Sequence, residues 1–182
     1  MTTETWAIDS SHSGIHFSVR HLVIAKVRGQ FARWSGSIAV PDGDLQRATV
    51  AVNIDASSID TGVADRDTHL RSADFFDVAT YPEATFTGER VEVLGDDLLK
   101  VTGPLTLHGV TREATLEVES FGKTKDPWGN QRMGFSARTS LLRSDFGLTW
   151  NQVLETGGVA VSDRVELEFE VEAVKQVATK VA

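Results

Sequence analysis

The densest chemistry in this chain lies in DRDTHLR, where Asp65, Asp67, His69 and Arg71 fall within seven residues. Carboxylates beside an imidazole could hold a divalent metal or move a proton. Spacing argues against both, because residues two apart on a helix point to different faces. The other histidines are His12, His16, His21 and His108. On a strand, His12 and His16 would share a face but stand about 13 Å apart at ~3.3 Å per residue, too far for one ion. No Gly-x-Ser-x-Gly elbow nominates a nucleophile, and no glycine-rich phosphate loop follows a strand. Glu166, Glu168, Glu170 and Glu172 form a carboxylate ladder. Its strict alternation reads as a solvent face that discourages edge pairing, not as an acid/base pair. The residues thus nominate no catalytic group, no metal ligand and no cofactor site.

What positions these groups is mostly strand. Ile15, Phe17 and Val19 share one parity with His21, and Val50, Val52 and Ile54 repeat the pattern. So do Leu99, Val101, Leu105 and Leu107, then Met133, Phe135, Ala137, Thr139 and Leu141. The alternation is cleanest in VELEFEV, where Val165, Leu167, Phe169 and Val171 oppose the glutamates. A period of two with one apolar face is the mark of half-buried strands. Roughly eight such strands in one chain must close into a barrel or stack as a sandwich, since open edges would stay unpaired. Parity slips near Gly88, where a bulge could bend a strand. One window departs: residues 62–77 have three- and four-residue spacing through Val63, Arg66, Asp67, Leu70 and Asp74. It reads as a short helical insertion with Asp60 or Thr61 as its amino-terminal cap, ended by Tyr81-Pro82. Its charges are expected to be its wet face.

Composition bounds the partners. The chain has 182 residues, about one domain's worth, read as residues 1–175 with a loose tail over 176–182. Its 26 acidic and 18 basic residues give a net charge of −8 without tight basic runs, which disfavours nucleic acid or an anionic membrane as partner. Cysteine is absent, so neither disulfides nor thiolate chemistry are available. MTTETWAIDSSHSG lacks the regions of a leader peptide, and no aliphatic run nears the ~20 residues of a membrane span. A cytoplasmic location is the expectation.

Several stretches in one order resemble the YceI-like family of polyisoprenoid-binding, lipocalin-like proteins. They include WAIDSSHSGIHFSVRHL, VRGQF, SSIDT, RDTHLRSADFFDVATYPEATF, GPLTLHGVTREATLEV, GFSARTSLLRSDFGL and VSDRVELEFEVEA. The resemblance implies an all-β, elongated antiparallel barrel of eight strands whose interior takes a long apolar lipid. It also implies no cofactor and a homodimer. The expected function is non-catalytic binding, transport or storage of a polyisoprenoid or isoprenoid-quinone-like amphiphile. The alternatives are an enzyme acting on such a lipid, with His21 or His108 as acid/base, and an interaction module with a filled core. An unpaired charge in such a lumen costs several kcal/mol, so the apolar parity should line it. That nominates Phe17, Val19, Phe31, Ile38, Val52, Phe86, Leu105, Leu107, Phe135 and Leu141. Phe146 and Trp150 are placed nearer a mouth, where Leu70, Phe75 and Phe76 form a helical cover. His21 reads as a satisfied core histidine or a headgroup contact, and Arg143 as a headgroup candidate.

Overall fold

The computed structural model describes residues 2–178. Its strands are β1 (Thr3–Ile8), β2 (Gly14–His21), β3 (Ala25–Phe31), β4 (Trp34–Pro41), β5 (Thr49–Asp55), β6 (Ile59–Asp60), β7 (Glu83–Gly88), β8 (Arg90–Val93), β9 (Leu98–Leu107), β10 (Val110–Lys125), β11 (Gln131–Leu142) and β12 (Val161–Lys175). One helix, α1 (Ala64–Arg71), lies between β6 and β7. Eight strands, β1, β4, β5, β7, β9, β10, β11 and β12, pair in antiparallel order, and the β1–β12 pairing closes the ring. The expected barrel is present, and the sandwich is not.

The 15 residues of β12 explain why the two ends differ. Ala173 to Lys175 pair with β1, whereas Val165 to Glu170 pair with β2. Beyond β1 the seam is therefore filled by β2, β3, β6 and α1. At the β1 end, Trp6 is fully buried with Val40, Met133 and Ala173. At the other, Ile15, Phe31, Ile54, Ile59 and Ala84 form a second cluster, against which Leu70 and Phe76 pack.

Two glycines permit close approaches in this wall. Phe17 lies over its cross-strand partner Gly29, where a Cβ would come within 2.3 Å of the ring. A Cβ on Gly103 would stand 1.7 Å from the Thr87 carbonyl oxygen, so β9 passes there only as glycine. The parity slip expected near Gly88 falls at Glu89, between β7 and β8, both of which pair with β9.

The helix is shorter than its expected span of 62–77, because Ser72 turns extended and both its N–H and its hydroxyl donate to the His69 carbonyl. Neither Asp60 nor Thr61 caps it. Val63 occupies that position without a side-chain bond, and Asp67 reaches back to accept from the Thr61 N–H and hydroxyl. Asp67 is buried, and Arg71 donates to the carbonyls of Ser57 and Ile59. These charges fasten the helix to the barrel and do not form a wet face. Just past β12, the Gln176 N–H donates to Thr5 O, and residues 179–182 of the expected tail lie outside the described residues.

Candidate functional site

The barrel encloses a cavity of about 420 Å³, within the range of small-molecule sites. Strand alternation supplies its wall. Phe17, Val19 and His21 enter from β2, Phe31 from β3, Ile38 from β4 and Val52 from β5. Phe86 comes from β7, Leu105 and Leu107 from β9, and Phe135 and Leu141 from β11. Leu70, Phe75, Phe76 and Trp150 cover one end, with Trp150 and Phe75 at 5.2 Å between ring centroids.

Phe146 is not on this wall. The strand period stops at Leu142, and in the tight turn that follows, Phe146 is buried beside a second pocket that shares Leu105, Ala114, Thr139 and Leu141 with the cavity wall. His108 also lies off the cavity, its Nδ1 3.0 Å from the Phe146 carbonyl and its ring against Tyr81. It cannot reach a ligand in the lumen.

Six wall residues are polar: His21, Thr61, Arg66, His69, Thr139 and Arg143; no carboxylate is among them. Five of the six are linked at one end. Arg66 Nε donates to Thr61 Oγ1 at 2.7 Å, and one helical turn on, His69 meets the Trp150 ring at 4.8 Å. The Trp150 carbonyl accepts from Arg143, which also bonds the carbonyl of Val161, the partner of His21. Arg143 is buried, and four of its N–H groups go to the carbonyls of Ser162, Leu148, Trp150 and Val161. Burial pushes its pKa down from the ordinary value, while the Asp163 carboxylate opposes that. Its main geometric work is to hold the segment from Leu148 to Ser162 against the barrel end. His21 makes no side-chain hydrogen bond among the described residues, so it is not a core histidine satisfied by protein partners.

Arg66 and His69 were missed from sequence as wall residues because the charges of that run read as solvated. Their signal was present: positions 66, 69 and 70 share one helical face, and Leu70 marks it as inward. The inward row of β12, from Val165 to Val171, was equally legible and also lines the cavity.

Outside the barrel, the chain folds Asp9, His12 and Glu172 to within 4.8 Å of one another, a set that could hold a cation. Arg132 already stands among them, with Nη1 at 3.0 Å from Asp9 Oδ2 and 2.6 Å from Glu172 Oε1. The guanidinium supplies the positive charge there.

Comparison with known proteins matches a family model, the YceI-like domain, to residues 6–173. The chain is 39% identical over 168 residues to the YceI protein of Salmonella newport, covering 92% of this chain and 84% of that protein. It superposes on the crystal structure of the Campylobacter jejuni YceI protein with a TM-score of 0.75 and 33% identity, over 87% of this chain and 90% of the other. A polyisoprenoid binding domain from Saccharophagus degradans, described as implicated in plant cell wall breakdown, aligns with a TM-score of 0.68. It is 21% identical, over 94% of this chain and 98% of that one, and shares the fold.

Proposed function

This chain belongs to the YceI-like family, and from that premise we propose that it is a non-catalytic carrier or store for a polyisoprenoid or isoprenoid-quinone-like lipid held in the barrel. The observation that carries this reading is the polarity of the cavity: apolar along its length, with its hydrogen-bonding groups gathered at the α1 end. The head of the lipid sits there and its tail runs toward Trp6. Arg66, with no carboxylate on the wall to oppose it, favours a neutral acceptor or an anion over a cationic head, while Arg143 spends its donors on backbone carbonyls. Binding of the tail needs no directed contact, since each buried CH₂ contributes ~0.8 kcal/mol at most.

The test is organic extraction of the purified protein followed by mass spectrometry, with titration of isoprenoid quinones and a polyprenyl phosphate. Co-purified or titratable lipid is expected; a barrel that is empty and binds none of them sinks the proposal. A ligand recovered chemically altered, with the alteration lost in His21→Ala, would make the protein an enzyme instead.

A further inference from the structure

The turn joining β2 to β3 is built against the usual chemistry of a hairpin tip. Its residues are Leu22, Val23 and Ile24, where asparagine and glycine are the cheap choices. Leu22 and Val23 have φ values of 53° and 65°, a conformation that is strained for a bulky side chain and more so for a β-branched one. Packing does not compensate this strain, since Val23 is 72% and Ile24 84% exposed. The Leu22 N–H donates to Ala160 O, which places the tip beside a second apolar turn with Val153 and Val159 paired and exposed.

Behind the tip stands a basic collar. Arg20 is directly opposite Lys26, and Arg28 lies two pairs further along the ribbon on the same face, all three exposed. Like charges facing each other across a ladder repel. Among the described residues, none of the three takes part in a salt bridge. Residues 10–41 contain no aspartate or glutamate at all, in a chain whose net charge is −8. Of the nearby acids, Glu166 is bonded to Arg164 and Asp163 to Ser144, while Glu155 sits in the second turn. The basic residues looked scattered in sequence because six positions separate Arg20 from Lys26; the hairpin brings them face to face.

We propose that this hairpin is a docking surface for an anionic lipid bilayer: Val23 and Ile24 enter the interface while Arg20, Lys26 and Arg28 meet the headgroups. Apolar side chains ringed by cations are what an interfacial anchor requires. The rest of the molecule, being negative, is repelled by the same surface, so the charge distribution orients the tip toward it. That orientation turns the polar end of the cavity, where His21 and Val161 adjoin the tip, toward the source of a lipid. The inference goes beyond cavity binding and is read out separately from it.

The experiment is flotation of the full chain with phosphatidylcholine vesicles, with and without about 30% phosphatidylglycerol, at low and high salt. The protein should float with the anionic vesicles only, and high salt should release it. Arg20→Gln, Lys26→Gln and Arg28→Gln should each weaken partitioning about fivefold, and Ile24→Asp should abolish it, with circular dichroism confirming folded variants. Because the chain has no cysteine, Ile24→Cys carrying an environment-sensitive dye reports insertion directly. A blue shift on anionic vesicles is expected. No flotation, or flotation without a blue shift, overturns the proposal, as does a concentration-dependent dimer lost in Ile24→Asp, which would make a second copy the occupant. Lipid titration in detergent tests the cavity alone, so either reading can fail without the other.

Discussion

At the scale of single residues, the most consequential side chain outside the cavity is Arg132. It reaches Asp126 in the β10–β11 turn, Asp9 after β1 and Glu172 on β12, and so ties three parts of the barrel wall together. Asp126 is held well below the usual carboxylate range, first by Arg132 and further by Asn130. Asp9 is depressed as well, mainly by Ser11, then by His12 and Arg132. A carboxylate whose native pKa lies below its unfolded value releases its proton more readily in the folded state. Its contribution to stability is complete above about pH 4 and is lost as the pH falls below that toward the native pKa. Urea midpoints should therefore drop between pH 7 and pH 3 in the wild type. In Arg132→Met the midpoint should fall at pH 7 and fall by less at pH 3, where the carboxylates have begun to lose their contribution, drawing the two values closer. A parallel loss at both pH values would show that Arg132 acts by packing alone. Nothing in the sequence announced this cluster, because Asp9 and Arg132 are 123 residues apart and only barrel closure joins them.

At the scale of elements, α1 is the piece whose role differs most from its look in sequence. Its dense charges suggested a solvated face, yet Asp67 is buried and Arg71 is spent on the carbonyls of Ser57 and Ile59. Charges with fixed partners anchor the helix, and that leaves Leu70 free to cover the cavity beside Phe76 and Trp150. Burying a leucine contributes roughly 1.5–3 kcal/mol. Leu70→Asp should then speed dissociation of a bound lipid by at least about tenfold, measured by dilution or by transfer to acceptor vesicles. An unchanged off-rate in the folded variant would leave α1 as plain barrel packing. The strands were legible because one-sided burial writes a period of two into the chain, as in the row from Val165 to Val171. The division of β12 between β1 and β2 was not, since pairing over such distance leaves no mark on local periodicity. Caps and turns were lost for the opposite reason: they are set by single bonds, such as Asp67 to Thr61, that several residues nearby could equally have made.

At the scale of the whole molecule, the barrel has a polarity that no single strand possesses. Its β1 end is plugged by Trp6, over whose ring Lys123 and Lys175 stand at 5.2 and 5.8 Å, while the α1 end carries nearly all the polar wall. The two core clusters meet only through residues such as Val52 and Phe169, which pack against both, and the cavity runs between them. An amphiphile entering such a space orients itself, because a head at the Trp6 end would meet no polar side chain of the cavity wall and a tail at the α1 end would strip Arg66 and His69 of water without replacing it. This orientation makes a length filter. Val171 faces the lumen opposite Phe135, two pairs from the junction with β1. Val171→Phe should shorten the tail space without touching the head end. Each excluded CH₂ forfeits up to ~0.8 kcal/mol, so affinity for a long polyprenyl chain should fall by at least about tenfold. A short-chain analogue with the same head should bind as before. Equal losses for both, in a variant that circular dichroism shows to be folded, would reverse the assignment and place the head at the Trp6 end, while loss of the long chain alone fixes the tail there.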